Sequence, residues 1–63
     1  MDAGRYLSRR VKLVVNEGNT TTVYTGRVVA HDEDSLTLED KFSNDVSISL
    51  QRIIKIEVLN HDG

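Results

Sequence analysis

The chain has 63 residues with ten acids, eight bases and a formal net charge of −2, and it contains no cysteine and no proline. A chain of this length forms one domain with a thin core, and the absence of cysteine excludes disulfides and cysteine-ligated zinc sites. Association with further subunits is the remaining way to reinforce so small a core. No apolar run reaches the roughly 20 residues of a membrane span and no signal-peptide pattern is present, so we expect a cytoplasmic protein.

Basic residues concentrate at the amino-terminal end. The first twelve residues hold four bases and one acid, whereas nine acids and four bases follow from Leu13 onward. The four bases of this end are Arg5, Arg9, Arg10 and Lys12. Two interpretations of this N-terminal basic segment, residues 1–10 with Lys12 just beyond, remain open: a solubilising end, or an arm that contacts phosphates.

The first third of the chain predicts a short helix and a strand. Residues 2–10 have room for at most a couple of helical turns, which would have to dock on the domain to be stable. Val11–Val15 is rich in β-branched residues and predicts strand one. The sequence NEGNT that follows is typical of a turn.

Strand two is predicted over Thr20–Asp32, which is long for a single strand. Gly26 lies near its middle, where the missing Cβ permits a sharp bend. We therefore expect one bent strand whose two halves can each bury a face.

The rest of the chain predicts short strands. They lie over Ser35–Asp40, Val46–Leu50 and Ile54–Val58. Strand four alternates apolar and polar residues with period two, and strand five is predicted to turn Ile54, Ile56 and Val58 to one side. Only a single tight turn fits between strands four and five. Residues 59–63 form a polar tail that we expect to be flexible.

Five antiparallel strands, with the second long and bent, predict an all-β fold: a small, strongly bent, five-stranded SH3-like barrel of the Sm type with a short N-terminal helix, in one domain over residues 1–63. A Greek-key barrel of the OB type is the alternative, but the sequence KFSND leaves no room for its helix between strands three and four. The predicted core consists of Val11, Leu13, Val28, Leu36, Leu38, Val46, Ile48, Leu50, Ile53, Ile56 and Val58.

Three consecutive acids, Asp32, Glu33 and Asp34, follow His31 between strands two and three. The stretch lacks the alternating acids, the glycine and the terminal glutamate of a calcium loop. Aspartate accepts local backbone hydrogen bonds, so the acids predict a solvated turn, with weak cation binding and contact with a basic partner as alternatives. His31 and His61 are far apart, and no nucleophile motif or phosphate loop accompanies them, so we predict no enzymatic activity, no cofactor and no metal site.

Aromatic side chains beside basic ones are the usual base-stacking groups of single-strand binders. Tyr24 with Arg27 is the best such pair, although packing of Tyr24 at the barrel rim is the simpler interpretation. Phe42 beside Lys41, between strands three and four, is a second candidate and could equally anchor its loop.

The chain resembles the Sm and Sm-like (Lsm) family, which includes the bacterial RNA chaperone Hfq, from about residue 6 to residue 58. The matching features are Gly26 in bent strand two, the segment Val29–Asp32 that closes this strand, the pair Leu36 and Leu38, and the apolar-polar alternation before Ile53. The resemblance implies a barrel that forms rings by pairing strand four of one subunit with strand five of the next.

The resemblance also implies RNA binding, with departures at the family's base pocket. Where the family carries an aromatic and an asparagine after strand two, this chain has residues 33–36, none of which is either type. Of the second family motif, only Arg52 could contact a phosphate.

Two functions follow as expectations. The first is a small non-enzymatic module that binds single-stranded RNA, as a homo-oligomer joined through its sheet edges. The second is a protein-interaction or assembly module without nucleic-acid binding, which adds strands at an exposed sheet edge. For the first function, the candidate RNA-binding residues are Arg5, Arg9, Arg10, Lys12, Tyr24, Arg27 and Arg52.

Overall fold

A computed structural model of the protein describes residues 3–59. In this range the chain forms five β-strands and two single turns of 3₁₀ helix. The strands are β1 (Arg10–Glu17), β2 (Thr20–His31), β3 (Ser35–Glu39), β4 (Asp45–Ser49) and β5 (Ile53–Val58), and the 3₁₀ turns span Ala3–Tyr6 and Leu50–Arg52. The all-β class and all five predicted strands are confirmed. Residues 3–59 include no helix with the length and apolar character needed to cross a membrane.

The predicted N-terminal helix is only one 3₁₀ turn. Ser8 has a φ of 70°, in the left-handed region, which ends the turn and redirects the chain into β1. The Ser8 N–H donates to the Val28 carbonyl of β2 at 2.8 Å, so the segment is tied to the sheet instead of extending as a helix. At the other end, the Leu59 N–H donates to the Arg10 carbonyl at 2.9 Å. The rest of the predicted flexible tail, with His61, lies outside the described residues.

The strands form one antiparallel sheet in the order β4-β3-β2-β1-β5. The predicted barrel is not closed, because β4 and β5 are the two edges of this sheet and are not paired with each other within residues 3–59. A flat sheet would hold edges four strand spacings apart at about 19 Å, whereas the link from Ser49 to Ile53 spans at most about 14 Å. The sheet must therefore curl, and the three-residue 3₁₀ turn Leu50–Arg52 connects its two edges.

At Gly26, β2 approaches β3 so closely that a side chain would not fit. A Cβ on Gly26 would lie 2.6 Å from the Glu39 carbonyl oxygen and 3.5 Å from the Leu38 Cβ. A bulge follows, because Val28 pairs with Leu38 and Ala30 with Thr37, which leaves Val29 as an extra residue in β2. The predicted bend of strand two is thus produced by a glycine contact and a bulge together.

The core agrees closely with the sequence pattern. Six of the predicted core residues are buried, namely Val11, Leu13, Val28, Leu36, Leu38 and Ile48. The other five are partly buried against them, namely Val46, Leu50, Ile53, Ile56 and Val58. Ala3 and Val15 are also buried and were not predicted.

Ile54 is the exception to the predicted alternation of strand five. The sequence placed it on the same side as Ile56 and Val58, but its side chain is 60% exposed. Val14 pairs with Lys55 and Val15 with Ile53, so Ile54 is an extra residue in β5. This bulge reverses the direction of the side chain, and the prediction for Ile54 is wrong.

We expect Gly26→Ala to destabilise the fold by about 1–3 kcal/mol, because the new methyl group would meet backbone atoms that can move only by distorting the β2–β3 ladder. Urea unfolding followed by circular dichroism measures the change. Thr25→Ala, at the exposed neighbouring position, should stay within about 0.5 kcal/mol of the parent. Equal stability of the two variants would contradict the close approach at Gly26.

Candidate nucleic-acid interface

Three of the predicted RNA-binding residues share the outer face of β1 and β2. Val11, Leu13 and Val15 are buried, so the intervening side chains of β1 point to the opposite face. Arg10 is directly opposite Arg27 in the β1–β2 ladder. Lys12, which is exposed like both arginines, lies one row further along. We call Arg10, Lys12 and Arg27 the basic face.

Acidic residues border the basic face on both sides. Arg27 is opposite Glu39 of β3, and Lys12 is opposite Glu57 of β5. Side chains at directly opposite positions are about 4.5–5.5 Å apart at Cβ. The surface therefore alternates in charge, which suits contact with a few phosphates and not the broad basic surface that duplex DNA requires.

A groove of about 350 Å³ adjoins the basic face. On one side it is lined by Arg10, Thr25 and Gly26, and on the other by the loop that joins β3 to β4. We call it the loop groove; its loop residues are Asp40, Lys41 and Phe42. Phe42 is 72% exposed, and the Lys41 Nζ lies 5.3 Å from the centre of its ring. An exposed ring beside cations is the chemistry on which a nucleobase can stack.

Asp40 holds the loop of this groove in shape. Its Oδ1 accepts hydrogen bonds from the backbone N–H groups of Phe42 at 2.8 Å and of Asn44 at 3.0 Å. These bonds, that from Asn44 first, lower the pKa of the Asp40 carboxyl below its ordinary value. Ser43 turns the chain between them with a φ of 65°. The groove wall is thus a fixed loop with an ionised carboxylate.

A second groove, of about 250 Å³, opens beside β4 where the sheet is not closed. Tyr24, Glu17 and Arg52 line it together with apolar residues of the core side. The Tyr24 hydroxyl donates to the Glu17 Oε2 at 2.9 Å. This bond raises the pKa of Tyr24 above its ordinary value, with Arg52 acting weakly in the opposite sense. We call it the edge groove.

The predicted RNA-binding residues therefore lie in separate places. Tyr24 and Arg52 meet in the edge groove, on the side of the sheet opposite the basic face. Tyr24 packs against the core, as the rim interpretation predicted. Arg5 and Arg9 are exposed near the first 3₁₀ turn, where the Arg5 guanidinium carbon lies 5.7 Å from the Tyr6 ring centre.

The acidic stretch between β2 and β3 is the turn that the sequence predicted. The Asp32 Oδ1 accepts hydrogen bonds from the backbone N–H groups of Asp34 and Ser35, both at 2.8 Å, and from the Ser35 hydroxyl at 3.2 Å. The first two bonds are the main reason that the pKa of Asp32 is lowered. Among residues 3–59, no three His, Asp or Glu side chains converge as a possible metal-binding group.

Sequence reasoning named Phe42 as a stacking candidate but did not place it beside Arg10. These residues are far apart in the chain, and only the bend of β2 brings the β3–β4 loop against β1. The sequence KFSND showed a loop with one ring and one cation, but it contained no signal for the groove itself. The contribution of Asp40 was missed because its position was assigned to strand three.

Comparison with protein-family models, with curated proteins and with solved structures gives no match for this chain. The resemblance to the Sm-like family therefore stays a prediction from the residues quoted above.

We expect Asp32→Ala to lower the stability at neutral pH, because two backbone N–H groups and a hydroxyl lose their acceptor. Because the pKa of Asp32 is lowered in the folded state, the folded protein takes up this proton at a lower pH than the unfolded chain does. The stability that Asp32 contributes is therefore fully present above the ordinary pKa of about 3.9, and it is lost as the pH falls through the folded-state pKa. The difference between parent and variant should shrink in acid.

Urea unfolding over a pH series tests this expectation. Glu33→Ala, at the exposed neighbouring position, is the matched control and should follow the parent at every pH. A stability difference for Asp32→Ala that does not vary with pH would show that the carboxylate is not the group responsible.

Proposed function

We propose that this protein is a small, non-enzymatic RNA-binding module with an Sm-like, SH3-type architecture, and that it binds single strands through the basic face and the loop groove. One observation supports this most directly: Arg10 belongs to both, so phosphate-binding cations and an exposed aromatic ring form one continuous surface.

The charge distribution fits a single strand better than a duplex. A strand that lies along the basic face would meet the cations Arg10, Lys12 and Arg27, with Lys41 at the end of the row. For single strands, the logarithm of the binding constant falls with the logarithm of the salt concentration with a slope of about −0.7 per phosphate contact. Three contacts therefore give a slope near −2. Such binding is moderate, as expected for a protein with a net charge of −2.

We further propose that copies associate through the free edges β4 and β5. The order of the sheet leaves both edges unpaired within residues 3–59. An edge strand has unpaired backbone N–H and C=O groups that can pair with another chain. A domain of this size can also bury more apolar surface by associating with a partner. A closed ring would place several basic faces side by side and strengthen binding to one strand by multivalency.

We expect the protein to bind short U- or A-rich RNA at low salt. The double substitution Lys12→Gln with Arg27→Gln should weaken this binding by about tenfold or more, and it should make the salt slope shallower by about 1.4, since two phosphate contacts are lost. Fluorescence anisotropy over a series of salt concentrations measures both quantities.

Arg52→Gln is the matched control for Lys12→Gln alone, because each removes one positive charge, from the edge groove and from the basic face respectively. It should leave the affinity nearly unchanged. Absence of binding by the parent at low salt would refute the proposed function, and a larger loss for Arg52→Gln would move the interface to the edge groove.

The second candidate function is a protein-interaction or assembly module that does not bind RNA. It is favoured by exposed apolar side chains on and near an edge: Ile54 on β5 is 60% exposed, and Val23 on β2 is 54% exposed. Val23 is opposite Val14, which is half-buried, so Val14 extends this apolar patch onto β1.

For assembly through the β5 edge, we expect Ile54→Lys to reduce the solution mass toward that of the monomer, since a charge on an edge strand opposes pairing with another chain. Light scattering at high salt measures the mass. Ala30→Lys, an exposed position of β2 that pairs with Thr37 of β3 and is not on the β5 edge, introduces the same charge and should leave the mass unchanged. An unchanged mass for Ile54→Lys would exclude this edge as the assembly surface.

A further inference from the structure

The loop groove contains three kinds of chemistry in one place. Phe42 presents an exposed ring, Arg10 and Lys41 supply positive charge, and Asp40 supplies a carboxylate. The first two suit any nucleotide, because every base has a face that can stack and every nucleotide carries a phosphate. The carboxylate differs, because it accepts hydrogen bonds and repels other acceptors. It is therefore the group able to discriminate between bases.

Asp40 is suited to this task because its position is fixed. Both backbone hydrogen bonds end on Oδ1, and a carboxylate has acceptor positions on two oxygens. The Asn44 side chain is a further hydrogen-bonding partner of this carboxylate. A carboxylate has about four acceptor positions, so Oδ2 still keeps capacity to accept from a ligand in the groove. The same bonds lower the pKa of Asp40, so the group is an ionised acceptor at neutral pH. A preorganised acceptor loses little freedom when a ligand binds.

The bases differ in what they offer to a carboxylate. Guanine presents two adjacent donors, N1–H and the N2 amino group, on its Watson–Crick edge. Uracil presents one N–H between two carbonyl oxygens, which a carboxylate repels. Adenine and cytosine present one amino group beside a ring acceptor. Only an unpaired base exposes this edge, so such recognition requires a single strand.

We propose that the loop groove is a guanine-selective base site, in which the Phe42 ring stacks on the base, Asp40 accepts from its Watson–Crick edge, and Arg10 with Lys41 holds the adjoining phosphates. This inference rests on the proposed RNA-binding function and adds its base preference. The ligand is a guanosine within a single strand, because the basic face continues from the groove along Arg27 and Lys12 and provides for flanking phosphates.

The test compares strands of about five nucleotides that differ only at the central base. An all-uridine strand, the same strand with a central guanosine, and the same strand with a central inosine are titrated by fluorescence anisotropy at low salt. Inosine lacks the N2 amino group and keeps N1–H. The guanosine strand should bind about tenfold more tightly than the uridine strand, and inosine should lose most of that gain. This comparison leaves the protein unaltered.

Variants then locate the site. Asp40→Asn should remove the preference for guanosine over inosine, whereas Asp45→Asn, an exposed acid at the start of β4 outside the groove lining, should retain it. Phe42→Leu should weaken binding of the guanosine strand by about fivefold or more. Phe42→Tyr should bind this strand about as tightly as the parent, because the aromatic ring is kept. Circular dichroism confirms that each variant is folded.

The outcomes separate the two proposals. Equal affinity for the three strands would overturn the guanine site and leave RNA binding in place, whereas absence of binding to every strand would overturn both. Free guanosine monophosphate should displace the labelled guanosine strand only at about a hundredfold higher concentration than the unlabelled strand, because it lacks the flanking phosphates. Displacement at equal concentration would identify a free nucleotide as the ligand and overturn the assignment to a strand.

Discussion

The close approach of β2 to β3 at Gly26 is the constraint on which the rest of the structure depends. Because Gly26 has no Cβ, the Glu39 carbonyl oxygen can occupy the position that the Cβ of any other residue would need. Because β2 pairs with β1 in its first part and with β3 in its last, this contact sets the angle between the two halves of the sheet. That angle brings the β3–β4 loop against Arg10 and creates the loop groove. The core and the candidate interface thus share one geometrical origin.

Two aspartates stabilise the connections around this bend in the same way. In each, one carboxylate oxygen accepts from backbone N–H groups that follow two to four residues later: Asp32 from Asp34 and Ser35, and Asp40 from Phe42 and Asn44. Both groups have lowered pKa values for this reason. The acids of this chain therefore do not by themselves imply a metal site or an acidic docking surface, since two of them shape loops. Asp40 also lines the loop groove, so the side chain that shapes the loop is the one proposed to recognise a base.

The two bulges explain why apolar side chains remain on the outside of so small a protein. Val29 and Ile54 are extra residues in β2 and β5. Each bulge interrupts the alternation of inward and outward side chains that its strand would otherwise follow. The bulges also increase local twist, which helps an open sheet curl while its edges remain unpaired. Val23 is exposed for a different reason, because it lies in the regular β1–β2 ladder opposite Val14, on the same side of these strands as the basic face. The surfaces proposed for assembly and for single-strand binding are therefore neighbours.

The sequence by itself determined the all-β class, the five strands, most of the core and the acidic turn, because period-two alternation, β-branched runs and turn residues act over a few neighbouring positions. It also located the bend of β2, through its one central glycine. Only the tertiary structure decided the bulge at Ile54, the open gap between β4 and β5, the separation of Tyr24 and Arg52 from the basic face, and the meeting of Arg10 with Phe42. Those features depend on ladder register and on contacts between residues distant in the chain, which local sequence patterns do not encode.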